Sequence, residues 1–159
     1  MPETPTIREC MKRKVISVLA DMTVRDAADL IREKKVGSLP VVDEAGILIG
    51  LISIRDIIQI FMPAFVDLIS DIDFVKDFGA RRTPSIGSLR EAETLTVADI
   101  MVEPASVEEH ASLIRAMSVM HKHGLLDLPV VNEGKLVGIA SWVDIGVAFI
   151  ADWRRPKNG

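Results

Sequence analysis

From Ser38 to Ile57 the chain reads SLPVVDEAGILIGLISIRDI, and from Asp127 to Ile145 it reads DLPVVNEGKLVGIASWVDI. Pro40, Gly50, Ser53 and Asp56 return about 90 residues later as Pro129, Gly138, Ser141 and Asp144. Solenoid repeats run at roughly 20 to 50 residues, so a period this long duplicates a whole supersecondary unit. A chain of 159 residues has room for two such units around one core, with no need of a disulfide or metal staple. Whatever site the unit builds therefore exists in two versions.

Each copy opens with a short segment ending in methionine, Ile7 to Met11 and Val97 to Met101, followed by extended pieces at Val15 to Val18 and Ala105 to Val107. A helix comes next. Thr23 and Asp26 have the spacing of a capping box, and Val24, Ala27, Ala28 and Ile31 continue at helical spacing with Gly37 just past the end. In the second copy Ser112 takes the place of Thr23, Leu113, Ala116, Met117 and Met120 form the apolar face, and Gly124 stops the helix.

The apolar run Leu39 to Val42, a turn at Asp43 to Gly46 and the run Ile47 to Ile52 predict a β-hairpin. Its counterpart turns through Asn132-Glu-Gly134, one residue tighter. A final helix begins at Ser53 and at Ser141. The predicted fold class is α+β, with two β-α-β-β-α repeats. One small sheet with helices on a single side cannot hide its other face alone. The expected architecture is a pseudo-twofold pair with clefts where the copies meet.

Composition narrows the functional classes. A net charge of −4, with lysine and arginine spread along the chain, offers no broad basic face, so general nucleic-acid binding is not implied. Ile57 to Ile69 is the most apolar stretch, but Gln59, Pro63 and Asp67 break it and it is too short to span a bilayer. The amino terminus lacks the basic-then-apolar order of a signal peptide, and the single cysteine, Cys10, agrees with a reducing compartment, so a cytoplasmic location is expected. Cys10 reads as an inert thiol. His110, His121 and His123 lack the carboxylate or cysteine partners of a metal site. With no nucleophile beside a base and no paired acids, no catalytic residue is expected.

The methionine-ended openings, the hairpins around Pro40 and Pro129, and the repeated G-h-h-S-x-x-D together resemble the cystathionine-β-synthase family, usually called CBS domains, as a tandem pair or Bateman module. The resemblance covers residues 6–58 and 96–150, leaving 59–95 as a linker. It implies a regulatory, ligand-sensing module that requires no cofactor and binds AMP, ADP, ATP or S-adenosylmethionine between the copies. By position, Asp56 and Asp144 would bond the ribose hydroxyls, and Ser53 and Ser141 would contact phosphate. Ile16, Val18, Val36 and Leu39 in the first copy, and Ala105, Val107, Leu125 and Leu128 in the second, would hold adenine.

The physics of these groups agrees with those roles. A carboxylate accepts two hydrogen bonds from a cis-diol, whereas a hydroxyl and free amides at a helix start suit an anion. The same serine and aspartate spacing is also an ordinary helix cap, and the two roles can coexist. Arg55 could add a contact to phosphate, and its counterpart is Val143, so the Asp56 cleft is expected to prefer phosphorylated ligands more strongly. Lys12-Arg-Lys14 reads as a solvated edge or as a grip on a polyphosphate tail. Trp142 reads as packing or as a stacking surface for a base.

The linker carries Phe61, Phe65, Phe74 and Phe78, two pairs spaced four apart, and then a polar connector from Arg81 to Ser88. Such apolar ridges predict a homodimer, with an unknown target protein downstream. The alternative is a ligand-free dimerisation or interaction scaffold in which Ser53 and Ser141 are caps only.

Overall fold

The computed structural model describes residues 4–60 and 93–156. Phe61, Phe65, Phe74, Phe78 and the connector from Arg81 to Ser88 lie outside the described residues.

In the first copy, helix α1 (Val24–Lys34) starts where the Thr23 hydroxyl accepts the Asp26 amide at 3.1 Å, and it buries Val24, Ala27 and Ile31. The cap is one-sided: the expected return bond from the Asp26 carboxylate is not among those Thr23 makes. Strands β1 (Ser38–Val42) and β2 (Leu48–Ser53) form the antiparallel hairpin, and residues 54–60 are helical, forming α2.

The second copy repeats the plan with α3 (Val97–Ile100), β3 (Val107–Glu108), α4 (Leu113–His123), β4 (Asp127–Asn132), β5 (Lys135–Ser141) and α5 (Trp142–Trp153). Its tighter turn is a two-residue connection with positive φ at both Glu133 and Gly134, which suits the right-handed twist of the flanking strands. Both hairpins carry an irregularity at the same place, between Val41 and Val42 and between Val130 and Val131.

Two expectations shift. The first extended piece, Val15 to Val18, is reduced to a single parallel bridge, with Val18 donating to Pro40 and accepting from Val42, whereas the second builds the strand β3 beside β4. Gly37 does not end α1. Lys35 does, in the left-handed conformation (φ 52°, ψ 46°) that Gly124 supplies at the end of α4 (φ 60°, ψ 36°). A lysine side chain in this region meets the following carbonyl, a cost that glycine avoids.

The opening segments cross over. Ile7 and Met11 belong to the second core, with Val107, Leu113, Ala116, Met120, Leu128, Val130, Ala140 and Ile145. Val97, with Met101 against it, belongs to the first, with Val18, Val24, Ala27, Ile31, Leu39, Val41, Ile52 and Ile57. Backbone bridges fix the exchange: Lys12 pairs with Ile139 of β5, and Leu51 of β2 pairs with Val102. The two glycines of the repeated motif are explained by this approach. A Cβ on Gly138 would stand 2.5 Å from the Met11 sulfur, and one on Gly50 would stand 2.5 Å from the Met101 sulfur. Full burial of one such apolar side chain contributes roughly 1.5–3 kcal/mol, so each copy is stabilised by residues that the chain order assigns to the other.

The hairpins also meet at the pseudo-axis, where Leu48 donates to Gly134 and Leu136 donates to Gly46. At the open ends of the hairpins, away from these turns, the buried Ser38 hydroxyl donates to Asp127 Oδ2 at 3.0 Å. These two residues occupy matching positions in the repeat, so this bond also lies close to the pseudo-twofold.

Candidate functional site

At the start of α5, the Ser141 hydroxyl accepts the Asp144 amide at 3.1 Å and donates to Asp144 Oδ2 at 2.9 Å, and the Ser141 amide donates to the same oxygen at 2.9 Å. Ser53 and Asp56 repeat the arrangement at 3.3, 2.8 and 2.7 Å. Both serines therefore act as complete capping boxes, each aspartate is locked in one rotamer, and its recorded bonds fall on Oδ2.

A cavity of about 190 Å³ opens beside Asp144. The second copy contributes Asp127, Ile139, Ser141 and Asp144, and the first contributes Lys12, Lys14, Val15, Ile16, Lys35, Val36, Gly37 and Ser38. The cleft is thus built jointly. Val15, Ile16, Val36 and Gly37 are half-buried and apolar, while the three lysines are exposed at the rim. Lys12 Nζ stands 3.7 Å from Asp144 Oδ2. Burial pushes the Asp127 carboxyl above the usual aspartate range, against the Ser38 hydrogen bond and the Lys12 charge, with Asp144 adding to the rise.

The positions that the pseudo-twofold relates to this lining, on the Asp56 side, carry different residues. After Met11 the chain reads Lys12-Arg-Lys14, but after Met101 it reads Val102-Glu-Pro104, and Gly124 stands where Lys35 stands. Arg55 extends toward that glycine, its Nη1 lying 4.0 Å from the place a Gly124 Cβ would take. Ala105 and Leu125 are half-buried.

Four of the residues predicted to hold adenine are buried in the two cores. Leu39 and Leu128 have no exposed surface, and Val18 and Val107 are 3% and 6% exposed, because each lies on a strand or bridge facing its own helix layer. Apolar identity beside a motif does not separate cleft lining from core. Trp142 is exposed, and its indole Nε1 donates to the Leu125 carbonyl at 3.1 Å, tying the start of α5 to the end of α4. Burial, with the Asp144 and Glu9 carboxylates, pushes the Cys10 thiol up and disfavours its thiolate. Sequence reasoning missed the Ser38–Asp127 bond and Lys35, for which the match of position 35 with Gly124 was the signal.

A family model described as CBS domain matches residues 7–63 and 97–148. The chain belongs to the CBS domain family. It is 45% identical to the protein MJ1426 of Methanocaldococcus jannaschii over 93% of both chains. CBSX2 of Arabidopsis thaliana, a CBS-pair protein, is 25% identical with a TM-score of 0.69, covering 96% of this chain and 99% of that one. CBSX2 in complex with AMP is 27% identical with a TM-score of 0.67, covering 94% and 98%. Hypoxic Response Protein I, solved with two coordinated zinc ions, is 26% identical with a TM-score of 0.64, covering 90% and 98%; the corresponding protein is from Mycobacterium tuberculosis. Among the described residues of this chain, no group of three or more His, Cys, Asp or Glu is placed to hold a metal. CBS pairs are generally regulatory modules rather than enzymes. Among the described residues no helix is long and apolar enough to cross a membrane.

Proposed function

We propose that this CBS pair is a regulatory module that binds an adenosine-containing nucleotide in its inter-copy clefts and signals through a homodimer or a partner protein. The observation that carries the reading is the joint cleft, which brings Ser141 and Asp144 of one copy against Ile16 and Val36 of the other. Asp144 accepts the ribose hydroxyls through the oxygen its cap leaves over, Ser141 and the α5 amides meet phosphate, and the apolar wall takes the base. Asp56 and Ser53 play the same parts in the second cleft, with Arg55 as the cation and Ala105 and Leu125 on the apolar side. The AMP complex of CBSX2 supports the choice of ligand class.

A ligand spanning the cleft ties the copies together, and it shifts any equilibrium between their orientations by its differential affinity for the two states. The transmitting surface is the exposed apolar face of Ile54 and Ile58 on α2 and of Val143, Val147 and Ile150 on α5. Burying that face against a second copy gives a homodimer, which the proposal places in the cytoplasm. The complete capping boxes favour one alternative, a scaffold in which the serines serve the helices alone.

Isothermal calorimetry against AMP, ATP, S-adenosylmethionine and NAD decides between them. The expected result is saturable binding that Asp144→Ala or Asp56→Ala weakens by about tenfold or more, as the loss of a charged hydrogen-bond acceptor implies. Silence from every ligand with a stable dimer in solution leaves the scaffold.

A further inference from the structure

We propose that the Asp144 cleft selects the phosphate chain, preferring nucleoside di- and triphosphates over monophosphates and nucleosides, through Lys12, Lys14 and Lys35. The inference rests on the nucleotide-binding reading above and specifies its ligand. It also reverses the sequence expectation, which compared Arg55 with Val143 within each copy. Each cleft takes its rim from both copies, so the cations must be counted across the interface. Three lysines line the Asp144 cleft, against the carboxylates of Asp127 and Asp144. At the corresponding positions the other cleft has Val102, Pro104 and Gly124, and Arg55 is the cation that approaches it.

Lys35 is the most informative of the three. It holds a left-handed backbone at φ 52°, in the position where the second copy uses glycine at φ 60°. Glu133 holds the same conformation in a hairpin turn (φ 49°), so the placement of the side chain, not the strain alone, marks Lys35. Here the side chain reaches the rim of the cavity. Lys12 supplies the second element. Its ammonium is solvent-exposed and stands 3.7 Å from Asp144 Oδ2, which places it beside the mouth of the cleft. A ribose diol takes the other oxygen of Asp144, and the long, exposed Lys12 contact leaves the ammonium able to turn to the phosphates. The exposed amide end of α5 lies alongside, adding partial positive charge.

The chemistry predicts a ladder. Affinity should rise from adenosine through AMP and ADP to ATP, because each added phosphate meets a further cation, and the rise should shrink with salt as surface ion contacts are screened. The test is calorimetry with these four ligands in the Asp56→Ala background, which isolates the Asp144 cleft, using the parent, Lys35→Gly and Lys14→Met/Lys35→Gly. Lys35→Gly copies the second repeat and relieves the backbone, and its unfolding midpoint, measured alongside, separates a loss of binding from a loss of folding.

The expected result is a fall in ATP affinity of roughly two- to fivefold in Lys35→Gly and on the order of tenfold in the double variant, with adenosine affinity unchanged. Adenosine binding with equal affinities along the ladder, or an ATP preference that survives the double variant, overturns the inference and leaves the nucleotide reading standing. Silence from all four ligands in both the parent background and the unmutated protein overturns both.

Discussion

The two first helices of the repeat, α1 and α4, end in the same left-handed turn, yet one is closed by Lys35 and the other by Gly124. The backbone demand is identical, so the difference lies in what the side chain does beyond the turn. At α4 the chain takes the residue the conformation favours. At α1 it accepts strain and gains a cation on the rim of the Asp144 cleft. The opening segments differ in the same direction: Met11 and Met101 fill matching holes over Gly138 and Gly50, but lysines follow the first and valine and proline occur after the second. Duplication preserved the packing and let the clefts diverge in charge.

The largest effect that sharpens this comparison concerns the exchanged methionines. Met11 is 8% exposed while Met101 is only half-buried. Met11→Ala should destabilise by about 2–5 kcal/mol, and Met101→Ala by less, since truncation costs most where the surroundings cannot collapse. Urea unfolding followed by circular dichroism measures both, and equal losses would break the ordering. Because Met11 serves the second core, hydrogen exchange in Met11→Ala should rise first at β4 and β5 rather than at β1 and β2.

The strain claim is next in size. Lys35→Gly should stabilise the protein by about 0.5–1 kcal/mol, the relief of a left-handed side chain less the extra chain entropy of glycine. Gly124→Lys should lose a similar amount. A destabilised Lys35→Gly would show that the lysine side chain contributes to the fold itself.

The smallest effect concerns the pseudo-axis. Burial raises the Asp127 carboxyl above its ordinary 3.8, so the folded state holds its proton more tightly than the unfolded chain does. Its contribution to stability is fully present below the unfolded value and is lost as pH rises through the raised folded value. Asp127→Asn keeps an acceptor for the Ser38 hydroxyl and removes the titration, so it should flatten the stability profile across that acidic window. An unchanged profile would contradict the desolvated placement of Asp127.

Much of this was legible in the residues. The repeated pattern from Pro40 to Asp56 and from Pro129 to Asp144 carried the hairpins, the final helices and their caps, because alternation and capping spacing are local signals. The crossover was not legible. It depends on bridges at Lys12–Ile139 and Leu51–Val102, which leave no periodic trace. Gly37 looked like the end of α1 because glycine is the default left-handed residue, while the turn falls two residues earlier on Lys35. Val18, Leu39, Val107 and Leu128 share the apolar character of Ile16 and Val36, and only their burial, not their identity, separates them. That Lys12, Lys14 and Lys35 line the same cavity as Asp144 was not legible for the same reason as the crossover, since residues of both copies meet there.

The most direct test is a crystal structure of the protein with ATP. The account predicts the nucleotide in the joint cleft, its ribose on Asp144, its base against Ile16 and Val36, and its phosphates among Lys12, Lys14 and Lys35. ATP seated only beside Asp56, with the Asp144 cleft empty, would contradict it.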